Sequence, residues 1–194
     1  TSSATLHGYF ALLPRESVRS SILSINKKGR HTNMKKIDTL LAEYGESHQT
    51  TFNKIVHYFC VPAIFFSLIG LLSLIPTGGV LEYFVPQAMA SYAHVGSLVI
   101  ILGLFYYLRL SFPLFTGMLL FSTLVLKGIH LLEMLNYAPI WVIMTSIFVL
   151  AWIAQFIGHN HEGKKPSFLK DIQFLMIGPA WTFSHLFKAL GVKY

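Results

Sequence analysis

The sequence predicts an all-α protein. It reads as a multi-pass membrane helical bundle of about four transmembrane helices, preceded by an interfacial helix and followed by a re-entrant or interfacial helical segment. Three observations predict it. Apolar residues make up 54% of the 194-residue chain and charged residues 12%, against about 25% charged in an ordinary soluble domain. The charges gather toward the two ends, and the apolar residues between them form runs of spanning length. The links between those runs are short, so neighbouring helices are expected to run antiparallel.

Residues 1–33 are rich in Ser, Arg and Lys and hold no apolar core of signal-peptide length. Met34 opens Met-Lys-Lys-Ile-Asp, which reads as a natural start. Residues 1–33 are therefore expected to be an extension or flexible segment, with a short amphipathic helix as the alternative, and 34–194 the membrane-embedded domain. From Ile37 to His57 the chain reads as helical and interfacial, with Ile37, Leu40, Leu41 and Tyr44 at helical spacing. Thr50 and Thr51 favour a break and a new helix start.

Four spanning segments follow. Residues 59–75 carry no charge and end in Pro76, Thr77, Gly78 and Gly79, a turn signal. Residues 87–108 form the second, and 112–135 the third, which Lys127, His130 and Glu133 interrupt. Residues 138–157 form the fourth. Each is long enough to cross about 30 Å of hydrocarbon. Residues 172–190 are apolar too, but Gly178, Pro179 and His185 interrupt them, which predicts a re-entrant or interfacial helical hairpin rather than a fifth span.

Lys and Arg alternate along this pattern. Lys35, Lys36 and Lys54 precede the first span, Arg109 lies between the second and third, and Lys164, Lys165 and Lys170 follow the fourth. The links around residues 76–86 and Asn136 hold none. Positive charge marks the cytoplasmic side, so both ends are expected there. The net charge of +7 is then topological charge beside anionic lipid, and no nucleic-acid partner is expected. The single cysteine, Cys60, excludes an internal disulfide scaffold.

This topology brings His48, His57, His159, His161 and Glu162 to one membrane surface. Tyr44 and His48, Asn53 and His57, and Gln155 and His159 are each four residues apart, so each pair shares a helix face. Nine residues separate His48 from His57. They can meet only if the chain bends between them, and Gln49-Thr50-Thr51 is where it can. Imidazole suits iron, zinc, copper and nickel, and carboxylate completes many iron sites. Tyr44, Asn53 and Gln155 are candidates to orient the rings, and His161 is the weakest candidate ligand. His94 and His185 are expected to hydrogen-bond between helices, and Lys127, His130 and Glu133 to satisfy one another.

Two stretches carry a resemblance. Tyr-Gly-Glu-Ser-His-Gln-Thr-Thr-Phe-Asn-Lys-Ile-Val-His-Tyr-Phe-Cys-Val-Pro covers residues 44–62. Gln-Phe-Ile-Gly-His-Asn-His-Glu-Gly-Lys-Lys-Pro-Ser-Phe-Leu covers 155–169, with Gln173 and Pro179 after it. Together, from Met34 onward, they resemble the small multi-pass membrane family of the yeast endoplasmic-reticulum 2-hydroxy fatty acid dioxygenase, long catalogued as a domain of unknown function. The resemblance implies an enzyme that uses Fe(2+) and O2 to shorten a long-chain 2-hydroxy fatty acid by one carbon, as in fatty acid alpha-oxidation. It carries over His48, His57 and His159 as catalytic metal ligands, with Asn53 and Glu162 in support. His161 matches the motif less well, and the link before Glu162 is about one residue shorter than in the yeast member. Lys164 and Lys165 are placed to attract the substrate carboxylate. The expected setting is a bacterial inner membrane or the endoplasmic reticulum.

The competing reading is a non-enzymatic membrane transporter or lipid-binding scaffold. A transporter predicts repeated halves and polar groups near the bilayer midplane, whereas here the richest polar cluster is at one surface. A lipid hydrolase of the serine type would carry Gly-x-Ser-x-Gly, which is absent.

Overall fold

The computed structural model describes residues 36–163 and 168–192, the latter stretch with side chains from residue 176 onward. Residues 1–33, Lys164 and Lys165 lie outside the described residues. The backbone divides after Thr39, and the unit Leu40–Tyr194 holds all the packing that follows.

All regular structure among the described residues is helical: α1 (Lys36–Gly45), α2 (Thr51–Ser73), α3 (Val95–Leu110), α4 (Phe112–Leu135), α5 (Ile140–Glu162) and α6 (Phe168–Ala189), with short 3-10 turns at Glu82–Phe84 and Gln87–Tyr92. Three of them, α2, α4 and α5, are long and apolar enough to cross a membrane. Their outward faces carry large exposed side chains such as Leu120, Leu124, Leu150 and Ile153. In water such a surface would drive association, whereas hydrocarbon solvates it.

The break expected at Gln49-Thr50-Thr51 is present. Thr50 caps α2, its side chain accepting from the Asn53 amide at 3.3 Å. Helix α2 starts there, eight residues before the predicted span, and carries Pro62 within it. Pro62 cannot donate to the carbonyl one turn back, a loss that helices at membrane depth tolerate when neighbours pack closely. Helix α4 matches its predicted bounds and stops at Asn136, which takes the left-handed conformation at φ 48° that Asn adopts more readily than most residues.

The second predicted span differs. Residues 87–108 do not form one helix, because α3 begins only at Val95. His94 is the cap: its ring Nδ1 accepts from the Ser97 amide at 3.2 Å, and the Ser97 hydroxyl bonds back to the Tyr92 carbonyl. Side chains that engage the backbone locally in this way compete with helix continuation. The remaining 16 residues of α3 extend about 24 Å. The expected interhelical role of His94 gives way to this cap. His185 likewise bonds within its own helix, Nδ1 donating to the Trp181 carbonyl at 2.9 Å. His130 lies 3.9 Å from Glu133 as expected, with the Tyr92 ring beside it.

Helices α2 and α5 make the most extensive pairing, and they run antiparallel. Near one end of the pair Gly70 abuts Met144, and near the other Gly158 abuts Asn53. The core between helices joins Phe65 and Ile69 of α2, Ile100 of α3, Val125 and Ile129 of α4, and Met144 of α5. Helix α6 is one continuous helix through Pro179, not a hairpin. It touches α3 through Met176 beside Gly103 and Tyr107, and α4 through Phe183 and Phe187 beside Gly117. It also meets the first turns of α2 through Trp181 beside Tyr58. All of its described neighbours therefore lie toward the end of the bundle where α2 starts and α5 finishes.

Candidate metal centre

At that end three histidines converge. His48 lies in the turn between α1 and α2, His57 in the second turn of α2, and His159 in the last turn of α5. Each is buried, at 4%, 1% and 8% exposure respectively, and one ring nitrogen from each lies within 4.8 Å of the others. The close-packed start of α2 accounts for the convergence. Thr50 ends one helical direction and begins another, which lets His48 and His57 face each other with ring centroids 4.1 Å apart. The antiparallel pairing then brings His159 within 4.9 Å of the His57 ring and 5.2 Å of the His48 ring.

The residue four positions earlier orients two of these rings. His48 Nδ1 donates to the Tyr44 carbonyl at 2.7 Å, and His57 Nδ1 donates to the Asn53 carbonyl at 3.0 Å. A carbonyl only accepts, so both rings carry the proton on Nδ1 and present Nε2 as the lone-pair nitrogen. Tyr44 also stacks flat on His48, at 4.4 Å and 10°. His159 Nδ1 is buried with no hydrogen-bond partner among the described residues, as is Asn53 Oδ1. An unsatisfied buried imidazole nitrogen is costly, and a bound metal ion would satisfy it.

The other expected site residues fall as follows. Gln155 is buried one turn before His159. Asn53 is fully buried, and its amide donates to the Ser47 carbonyl at 3.1 Å and to Glu162 at 3.4 Å. Glu162 sits at the end of α5 and reaches across to the start of α2, where it accepts from Gln49 and Thr50. His161 stands outside the cluster, exposed, with its ring against Phe52.

Trp181 was not foreseen. It is 3% exposed and forms a wall against His48, Tyr44, Tyr58 and His185, with ring centroids at 5.3, 5.4, 5.7 and 4.3 Å. Gly178, one turn before it, lets α6 approach Tyr44, since a Cβ there would lie 3.1 Å from the Tyr44 hydroxyl. Gly178 and Pro179 were the sequence signal that this segment is special, but they do not say which element it covers.

A bundle of apolar helices with a buried tri-histidine cluster at one end defines an all-helical protein with a candidate metal centre. Within that class, residues 34–190 match the family model described as 2-hydroxy-palmitic acid dioxygenase Mpo1-like. The chain belongs to this family. No curated protein and no solved structure matches it.

Proposed function

We propose that this chain is an iron(II)-dependent dioxygenase that converts a long-chain 2-hydroxy fatty acid and O2 into the acid one carbon shorter, CO2 and water. The observation that carries the reading is the trio His48, His57 and His159, buried together in a chain of a family described by this activity. The donors fit a metal. Three nitrogens spread evenly about 2 Å from one ion lie no more than about 3.5 Å apart, so ligand atoms within 4.8 Å of one another need to draw in by about 1–2 Å. Three imidazoles suit iron among other transition metals and leave positions open. Iron(II) held there would supply the redox partner that O2 lacks in a closed-shell acid, and coordination positions for O2 and for the substrate's hydroxyl and carboxylate.

The chain's own residues do the rest. The Tyr44 and Asn53 carbonyls hold two rings in the tautomer that leaves Nε2 available. Trp181 and Tyr44 wall the cluster and keep bulk water from it. The site's place at one end of apolar helices suits a substrate whose tail prefers hydrocarbon and whose head prefers the interface. Lys164 and Lys165, two and three residues beyond the end of α5, are proposed to draw the carboxylate toward that surface. Both ends of the bundle's polypeptide are proposed to be cytoplasmic.

Mass spectrometry of membranes holding the protein and fed 2-hydroxypalmitate tests the reaction. The shorter acid should form under air, fail to form under nitrogen or with an iron chelator, and not arise from unsubstituted palmitate. Metal analysis of the purified protein should find about one iron per chain. His57→Ala and His159→Ala should lose it while still inserting, whereas His161→Ala should keep it. Equal product in both atmospheres, or none in either with iron present, would favour the scaffold or transporter reading.

A further inference from the structure

Glu162 is hydrogen-bonded to, or part of, all three segments that carry the rings. We propose that Glu162 is a positioning residue, not a metal ligand. Its carboxylate clamps the end of α5 to the start of α2 and so sets His159 against His48 and His57. The inference rests on the reading of the trio as a metal centre.

Four hydrogen bonds carry it. One carboxylate oxygen, Oε1, accepts from the Gln49 amide at 2.8 Å. The other, Oε2, accepts from the Thr50 amide at 2.9 Å, the Thr50 hydroxyl at 2.7 Å and the Asn53 side-chain amide at 3.4 Å. Oε2 takes three of these donors and Oε1 one, so most of the carboxylate's hydrogen bonding is directed at the start of α2. Its donors are placed for the purpose. Gln49 follows His48 directly. Thr50 is the cap that starts α2. Asn53 gives its own carbonyl to the His57 ring. Glu162 itself stands three residues after His159, one turn along α5. Each of the three histidines is therefore within about one turn of an atom this carboxylate holds or belongs to.

Electrostatics favours the arrangement. The Gln49 and Thr50 amides that Glu162 holds lie just ahead of α2, at the end of the helix where its dipole attracts negative charge. Oε2, which holds three donors, could become a ligand only by releasing one or more of them. Glu162 is also partly exposed, whereas the three rings are buried.

The test uses the full chain in detergent, stripped of metal and titrated with Co(II), with d–d absorption as the readout. Wild type should bind, and His159→Ala should abolish the bands. Glu162→Ala should weaken Co(II) binding about ten- to a hundredfold, the range for residues that orient metal ligands. The band positions should stay unchanged, because the donors are still imidazoles. Glu162→Gln keeps an acceptor oxygen and should fall between the two. If Glu162→Ala unfolds the protein, the Gln variant alone decides. Thr50→Val added to Glu162→Ala should cost little more, since both remove one clamp. Shifted bands would show Glu162 to be a ligand and overturn the proposal. Unchanged Co(II) affinity with a lowered thermal midpoint would also overturn it, reducing Glu162 to a plain helix cap. Failure of the wild type to bind Co(II) would instead remove the metal-centre reading beneath it.

Discussion

At the scale of single residues, the trio depends on close contacts that leave no spare room. A Cβ at position 158 would lie 2.6 Å from Asn53 Oδ1 and 3.3 Å from Val56. Gly158→Ala should therefore displace Asn53, whose carbonyl holds the His57 ring. The expected cost is about 1–3 kcal/mol, typical of overpacking, with metal retained less tightly. Denaturant unfolding in detergent and metal analysis check both, and full stability with full metal content would contradict the account. Much of this site was legible in the sequence. The i, i+4 pairs Tyr44–His48 and Asn53–His57 announced a ring oriented from one turn back, and the structure supplies the carbonyls that do it. Glu162 was legible as a supporting residue but not as a clamp, because its donors lie 109–113 residues away in sequence. Trp181 was not legible at all. A tryptophan in an apolar helix reads as core or interface until the partner helix is known.

At the scale of elements, helix existence was readable and helix continuity less so. The apolar period identified α2, α4 and α5 because uninterrupted hydropathy is a local property. The start of α3 was not readable because it turns on a particular hydrogen bond, the His94 cap. The single-piece α6 was not readable because Gly178 and Pro179 read as an interruption that the helix runs through. Helix α6 is docked on α3 by the hydroxyl of buried Tyr107, which donates to the Met176 carbonyl. Met176 also fills the space beside Gly103, where a Cβ would lie 2.9 Å from its methyl group. Tyr107→Phe removes the donor and keeps the ring. It should loosen α6 by about 1 kcal/mol, the worth of an ordinary buried hydrogen bond. Hydrogen exchange across α6 should speed up about fivefold while α4 and α5 are unaffected. Exchange unchanged in α6 would mean that Trp181 and Phe187 alone hold it.

At the scale of the molecule, two consequences follow. The first is orientation. His48 and His159 share one end of the bundle, while Tyr83 and Tyr137, both highly exposed, follow α2 and precede α5 at the opposite end. In a Cys60→Ser background, cysteines at positions 46 and 161 should react with an impermeant reagent from the cytoplasmic side, and cysteines at 83 and 137 from the other. Labelling of 46 and 161 from opposite faces would sink the two-ends-in topology.

The second concerns the lipid. Helix α3, at 16 residues, reaches about 24 Å, roughly 6 Å less than a typical hydrocarbon core, while its neighbours α2 and α4 are long and apolar enough to cross one. The protein therefore meets its surroundings with an uneven hydrophobic height. A bilayer around the bundle would have to accommodate α3 by thinning or a similar adjustment, at a modest cost for every ångström of mismatch. In a bilayer that cost would grow with acyl-chain length. The protein's thermal midpoint should fall stepwise from vesicles of 14-carbon to 22-carbon monounsaturated lipids, and lengthening α3 by four leucines should flatten that dependence.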